Sequence, residues 1–282
     1  MKTVHTVAEL RAAVAAWRKA GQRIGFVPTM GNLHAGHVAL IARARELSDK
    51  VVASIFVNPL QFAPDEDFDK YPRTLDADSA KLKLALCDLL FAPSVAEMYP
   101  SSGGGGRDHH TLVTVPGISD TLCGAHRPGH FTGVATVVAK LFGQVQPDSA
   151  VFGEKDYQQL KIIERMVRDF ALPVRVVGLP TIREDDGLAL SSRNQYLTPG
   201  DRAVAPLLHA TLSWAAEQFR QGREMPEVEG AALERLKDAG FKPDYVSLRS
   251  ADDLGPPIDG APKRVLAAAW LGAARLIDNV PI

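Results

Sequence analysis

Apolar positions along the chain follow two alternating periods. Leu10, Val14 and Trp17 share a helical face behind Thr6-Val7-Ala8-Glu9, which has capping-box form, and Gly21 supplies a stop. The continuous apolar run Ile24–Val27 then reads as a buried strand, and Ala35–Leu47 as a helix. The alternation continues with strand Val51–Val57, helix Leu75–Leu86 with Asp76 and Asp78 in its first turn, and strand Leu89–Ala92. Strand Thr111–Val115, helix Phe131–Val145, strand Ala150–Phe152, helix Tyr157–Phe170 and strand Val174–Leu179 follow. Short strands interleaved with helices predict an α/β fold, a doubly wound parallel sheet covered on both faces. Asp185-Asp186-Gly187 reads as a turn, and the character changes after Pro199. Two helices, about Asp201–Gln221 and Glu227–Ala239, precede strands Tyr245–Leu248, Val265–Leu271 and Ala274–Asn279. That order predicts a smaller C-terminal α+β domain, with a hinge near Thr181–Glu184 separating residues 1–182 from 183–282.

Composition narrows the class of partner. The chain has 282 residues, 46% hydrophobic and 23% charged, enough for one large domain or two modest ones. A formal net charge of -1 leaves no broad basic field for a nucleic-acid backbone. Small anions need only a local cluster of Lys, Arg and His. Cys87 and Cys123 form no CxxC pair and read as free structural thiols of a reducing cytoplasm. Glu9 and Arg11 interrupt any signal-peptide core, and the apolar run Val265–Ala274, bounded by Arg264 and Arg275, falls short of the roughly 20 residues of a spanning helix. The expectation is a soluble, cytoplasmic protein without nucleic-acid or membrane partners.

Four segments carry chemistry, each at a strand end, where doubly wound sheets bind ligands. In Pro28-Thr29-Met30-Gly31-Asn32-Leu33-His34-Ala35-Gly36-His37 two histidines sit three residues apart where a strand hands over to a helix. Free N–H groups and the helix dipole favour phosphate oxygens there, and imidazoles add donors. A metal pair or two surface histidines are the alternatives, although zinc would want a third ligand that no nearby cysteine or HExxH pattern supplies. Asn58-Pro59-Leu60-Gln61-Phe62 reads either as an ordinary Asn-Pro turn or as amides lining a pocket. In Gly153-Glu154-Lys155-Asp156-Tyr157-Gln158-Gln159 the lysine is a point charge for phosphate, Gln159 can face the same cleft, and Asp156 either caps the helix or contacts ligand. Leu190-Ser191-Ser192-Arg193-Asn194 is a polyphosphate clamp or a polar turn. Gly103–Gly106 reads as a mobile surface loop; as a phosphate loop it lacks the Gly-Lys-Ser/Thr ending and a following helix.

Together PTMGNLHAGH, SIFVNPLQF, DKYPRT (Asp69–Thr74), RPGHFTGV (Arg127–Val134), GEKDYQQL and LSSRNQYL resemble the pantoate–β-alanine ligase family, in the family's order over most of the N-terminal two-thirds. The C-terminal part resembles it mainly through Arg275-Leu276-Ile277-Asp278-Asn279. The resemblance implies a Rossmann-like nucleotide- and pantoate-binding domain with a C-terminal lid. It also implies ATP-dependent ligation of pantoate and β-alanine through a pantoyl adenylate, with release of AMP and pyrophosphate. Met30, Gly31, Asn32, Leu33, His34, Ala35, Gly36 and His37 would then hold ATP, with His37 as proton donor and His34 on the phosphates. Gly153, Glu154, Lys155 and Asp156 would bind adenosine and phosphate, Ile182 the adenine through its backbone, and Leu190, Ser191, Ser192 and Arg193 would close over the triphosphate. Gln61, Gln159 and Asn58 fall at pantoate and β-alanine, and Asp78 aligns with a carboxylate associated with Mg2+. A homodimer through the N-terminal domain is implied. Two other readings share the histidine motif. A nucleotidylyltransferase would not release AMP, and a nucleotide sensor would bind ATP without turnover.

Overall fold

The computed structural model describes residues 1–63, 68–100 and 111–282. Gly103–Gly106 lie outside the described residues. The first half runs β1 (Lys2–Val4), α1 (Val7–Lys19), β2 (Ile24–Thr29), α2 (Ala35–Leu47), β3 (Lys50–Ile55), α3 (Leu75–Leu84), β4 (Leu89–Phe91), α4 (Val95–Met98) and α5 (Cys123–His126). It continues with α6 (His130–Val145), β5 (Ser149–Gly153), α7 (Tyr157–Asp169) and β6 (Arg175–Leu179). The remainder is α8 (Pro199–Val204), α9 (Leu207–Arg220), α10 (Met225–Asp238), β7 (Lys242–Ser250), β8 (Lys263–Leu271) and β9 (Ala274–Pro281).

The first six strands form one parallel sheet in the order β1-β4-β3-β2-β5-β6. Phe26, Val52, Leu89 and Phe91 pack on one face with α1, α6 and α7, while Val27, Val51, Ala53 and Leu90 pack on the other with Leu40, Ile41, Ala44 and Leu82 of α2 and α3. Both faces are covered, which explains why these strands read as unbroken apolar runs. From β2 the chain adds β3 and β4 on one side, then crosses back to add β5 on the other. The order therefore reverses between β2 and β5, and a crevice opens beyond their carboxyl ends. The last three strands form an antiparallel sheet, β7-β8-β9, whose core with α9 and α10 includes Leu208, Leu212, Ala216, Ala232 and Leu236. Leu266 and Ala268 of β8 join the core of the large sheet instead, so the two units share a packed boundary.

Two expectations need correction, and one strand had no sequence signal. Residues 111–115 form no strand; the Val113 N–H donates to Thr136 Oγ1 of α6 (2.9 Å), and side chain-to-backbone bonding replaces a ladder. The helix expected over Asp201–Gln221 is two, α8 and α9, because Pro206 has no N–H and cannot continue the turn. The edge strand β1 is too short for a period to show in the sequence, and it pairs parallel with β4. The capping box at Thr6 is present, with Glu9 reaching back. Burial pushes the Cys87 thiol up to about 11, as befits a structural cysteine. Among the described residues no helix is long and apolar enough to cross a membrane.

Candidate active site

The crevice between β2 and β5 is a cavity of about 220 Å³ lined from all four predicted segments: Met30, His34 and His37; Asn58 and Gln61; Lys155 and Gln159; Ser191, Ser192 and Arg193. Gly36, Gly153, Asp156, Ile182 and Leu190 complete the expected residues that reach it.

The histidines are held by the start of α2. His34 is its N-cap, and its Nδ1 accepts the Gly36 N–H (3.2 Å), while His37 Nδ1 accepts the His34 N–H (3.3 Å). A nitrogen that accepts a backbone N–H carries no proton, so both rings are the Nε2–H tautomer. The rings lie against each other with centroids 4.1 Å apart and planes tilted by 46°. A Cβ at residue 36 would sit 2.9 Å from two atoms of the His34 ring and would push the ring from this position, so glycine here leaves room for it. Burial, reinforced by the nearby Lys155, lowers His34 to about 4. Burial and the neighbouring His34 lower His37 to about 3. At neutral pH the pair is therefore uncharged, and each ring offers one N–H. The helix start thus differs from the expected row of free backbone donors, because imidazoles occupy part of it.

Gln61 is fixed by an amide network. Its Nε2 contacts Met30 Sδ (2.8 Å), and its Oε1 accepts from Asn58 Nδ2 (3.1 Å). Asn58, 1% exposed, also donates to the Gly133 carbonyl (3.0 Å) and accepts from the Tyr99 hydroxyl (2.8 Å). Its polar atoms are thus used inside the protein, and it orients Gln61. From the other side His130 Nδ1 meets the Gln61 carbonyl at 2.8 Å. Helix α6 comes close enough that a Cβ on Gly133 would lie 2.3 Å from the Leu60 carbonyl oxygen. Tyr99 and His130 are site-supporting residues that sequence reasoning assigned no role; RPGHFTGV was the one signal for His130.

On the opposite wall, Lys155 Nζ lies 3.4 Å from Asp156 Oδ2. Asp156 occupies the N-cap position of α7 without a side-chain cap bond, so its carboxylate serves the cleft and not the helix. Burial alone would raise that carboxyl, but Lys155 and Arg193 hold it below the ordinary range. Ser191 Oγ accepts the Arg193 N–H (3.2 Å) and starts a short helical turn over Ser192–Tyr196. The Ile182 carbonyl accepts the Leu190 N–H (2.9 Å), tying that turn to the chain leaving β6.

The chain matches the family model described as pantoate-beta-alanine ligase over residues 2–281. The chain belongs to the pantoate–β-alanine ligase family. It is 57% identical to the pantothenate synthetase of Stutzerimonas stutzeri over 282 residues, 99% of this chain and 97% of that protein. With the pantothenate synthetase of Thioalkalivibrio sulfidiphilus the identity is 59% over 284 residues, 100% and 98% of the two chains. The pantothenate synthetase structure from Thermus thermophilus superposes with a TM-score of 0.90 at 51% identity, covering 99% of each chain. The Francisella tularensis pantoate-beta-alanine ligase, complexed with beta-gamma ATP and beta-alanine, gives 0.81 at 34% identity over 99% of this chain and 97% of that one.

Not every residue that the resemblance assigns to ligands in this ligase family reaches the cleft. Gly31, Asn32, Leu33 and Ala35 are absent from its lining, as is Glu154, whose carboxylate pairs with Arg264 (3.0 Å). Asp78, the expected metal-associated carboxylate, is wholly buried behind the Met30–Leu33 turn. It accepts the Asn32 and Leu33 N–H groups (both 2.8 Å) and the Thr74 hydroxyl (2.9 Å). Acid in the first turn of α3 fitted a helix-dipole or a metal role; the observed bonds make it the anchor of the turn that carries the histidines.

Proposed function

We propose that this cleft carries out the family's ATP-dependent ligation of pantoate and β-alanine to pantothenate in two steps on one set of donors. The pantoate carboxylate attacks the α-phosphorus of ATP and pyrophosphate leaves; the β-alanine amine then attacks the acyl carbon and AMP leaves. A carboxylate is a poor electrophile, and adenylation gives it a good leaving group. The protein supplies position and charge stabilisation. The observation that carries the reading is the neutral His34–His37 pair, with both Nε2–H groups available, in a cleft that also holds Lys155, Arg193 and an oriented Gln61.

In this reading His34 and His37 donate hydrogen bonds to the phosphates, while Lys155 and Arg193 balance charge growing on the departing pyrophosphate. His37 acts as an N–H donor; it is not a charged acid in the free enzyme, because burial keeps it neutral. Gln61 and Gln159 hold pantoate, with Gln61 next to the β-alanine position and Asn58 fixing Gln61. Ile182 borders the adenine, and Leu190–Arg193 close over the triphosphate and keep water from the adenylate.

Mg2+ fits as an ion brought by the phosphates. Among the described residues no group of three or more His, Cys, Asp or Glu is disposed to hold a metal, and Asp156 is the carboxylate lining the cleft. Mg2+ is commonly held by one or two carboxylates, substrate phosphates and water. It would neutralise phosphate charge there.

We place the domain division at residues 182 and 183, between the end of β6 at Leu179 and the Arg183–Ala189 bridge. A cytoplasmic site accords with two free cysteines, and the assembly in this reading is a homodimer through the N-terminal domain. The test of the reading is exchange of labelled pyrophosphate into ATP. It should require pantoate and proceed without β-alanine; exchange supported by another acid and not by pantoate overturns it.

A further inference from the structure

The Arg275–Asn279 segment of β9 belongs to the C-terminal sheet, yet it grips the phosphate wall. Asn279, 3% exposed, donates through Nδ2 to the carbonyls of Glu154 (2.8 Å) and Lys155 (3.1 Å). Its Oδ1 accepts from Arg264 of β8, which fixes which end of the amide faces the two carbonyls. Arg264, 9% exposed, also donates to the Glu154 carboxylate (3.0 Å) and lies 3.8 Å from the Tyr157 ring centroid. The turn between β5 and α7, which presents Lys155 to the cleft, is thus held at residues 154, 155 and 157 from another sheet. The preceding residue, Asp278, takes a bidentate pair from Arg183 (2.6 and 2.9 Å), and Arg183 in turn holds the Gly187 carbonyl (3.1 Å) at the base of the Leu190–Arg193 segment. Neighbouring side chains on a strand point to opposite faces. Two consecutive residues of β9 therefore hold two different walls of one cleft.

We infer that Asn279 is a positioning residue for Lys155. It acts through the backbone of residues 154–155, and Arg264 keeps its amide in the working orientation. The C-terminal sheet is then part of the phosphate site. The inference rests on the reading of Lys155 as a phosphate ligand.

A binding cycle tests both at once. ATP is titrated calorimetrically, without pantoate, into the parent chain, Asn279→Ala, Lys155→Met and the double variant. Asn279→Ala is expected to weaken ATP by about tenfold in the parent and by no more than about twofold in the Lys155→Met background, since groups acting through one another are not additive. Parent-like affinity in Asn279→Ala, or the full loss retained beside Lys155→Met, overturns the inference and leaves Asn279 a structural residue. Parent-like affinity in Lys155→Met removes the phosphate role of Lys155, and with it the inference. If thermal melts show Asn279→Ala unfolded, Arg264→Met enters the same cycle, where a non-additive loss supports the coupling and an additive loss overturns it.

Discussion

Asp78→Asn separates an anchor from a metal ligand. The substitution keeps shape but replaces one acceptor oxygen with an NH2 group. In the parent the two carboxylate oxygens take the Asn32 N–H, the Leu33 N–H and the Thr74 hydroxyl at full burial. The variant can rotate to satisfy one backbone N–H but not both. A buried donor left unpaired costs about 1–3 kcal/mol, and the bond that remains loses the extra strength of an ionised acceptor, for a total of about 3 kcal/mol. For a chain of this size that corresponds to a fall in Tm of about 6–12 °C. The assay is calorimetry of the apo protein in EDTA, followed by kinetics with ATP and Mg2+ varied separately. The Tm should fall in EDTA, and KM for ATP should rise as the Met30–Leu33 turn loosens, with the Mg2+ requirement unchanged. An unaltered Tm together with a raised Mg2+ requirement would refute the anchor and return Asp78 to the metal.

Other outcomes follow from the same geometry. His37→Ala should lower kcat by about 10²–10³ through loss of a donor to a charged transition state, and near-normal turnover in a folded variant would count against it. In the free enzyme the His34 and His37 rings should stay neutral by NMR well below the ordinary histidine range, titrating near 4 and 3. Because the unfolded chain binds a proton near its ordinary value of 6.5 while folded His37 does not until about 3, His37 contributes full stability above pH 6.5, and that contribution is lost as the pH falls toward 3. His37→Asn should then flatten the fall in stability between pH 6.5 and 5 by about 2 kcal/mol at most; an unchanged slope in urea melts would contradict the assignment. Gly133→Ala forces a methyl against the Leu60 carbonyl and should destabilise by about 1–3 kcal/mol while raising KM for pantoate through Gln61; a normal Tm with normal KM would show that α6 does not set Gln61.

The parts of the site legible in the sequence are those where strand, turn and helix are contiguous. His34 and His37 follow β2, and Lys155 follows β5, so reading local periods was enough to bring them to one sheet end. The same logic failed where a local signal had two meanings. Asp76 and Asp78 look alike in the first turn of α3, yet only the placing of the Asn32 and Leu33 N–H groups distinguishes Asp78. Asp156 read equally as a helix cap or a ligand contact, and only the missing cap bond and its place beside Lys155 separate the two. The supporting residues were harder still. Tyr99 meets Asn58 from 41 residues away, His130 meets Gln61 across 69, and Asn279 reaches Lys155 across 124. Such contacts leave no periodicity, because they join a side chain to a distant carbonyl or amide. Residues 111–115 show the converse: Val113 and Val115 pack on the core although the segment joins no ladder.

The chemistry turns on attack of a pantoate carboxylate oxygen on the α-phosphorus of ATP. Pantoate labelled with 18O in its carboxylate, turned over with ATP and β-alanine, tests this by mass spectrometry of the products. One 18O is expected in each AMP and none in pyrophosphate. AMP free of label, or label recovered in inorganic phosphate beside ADP, would contradict it.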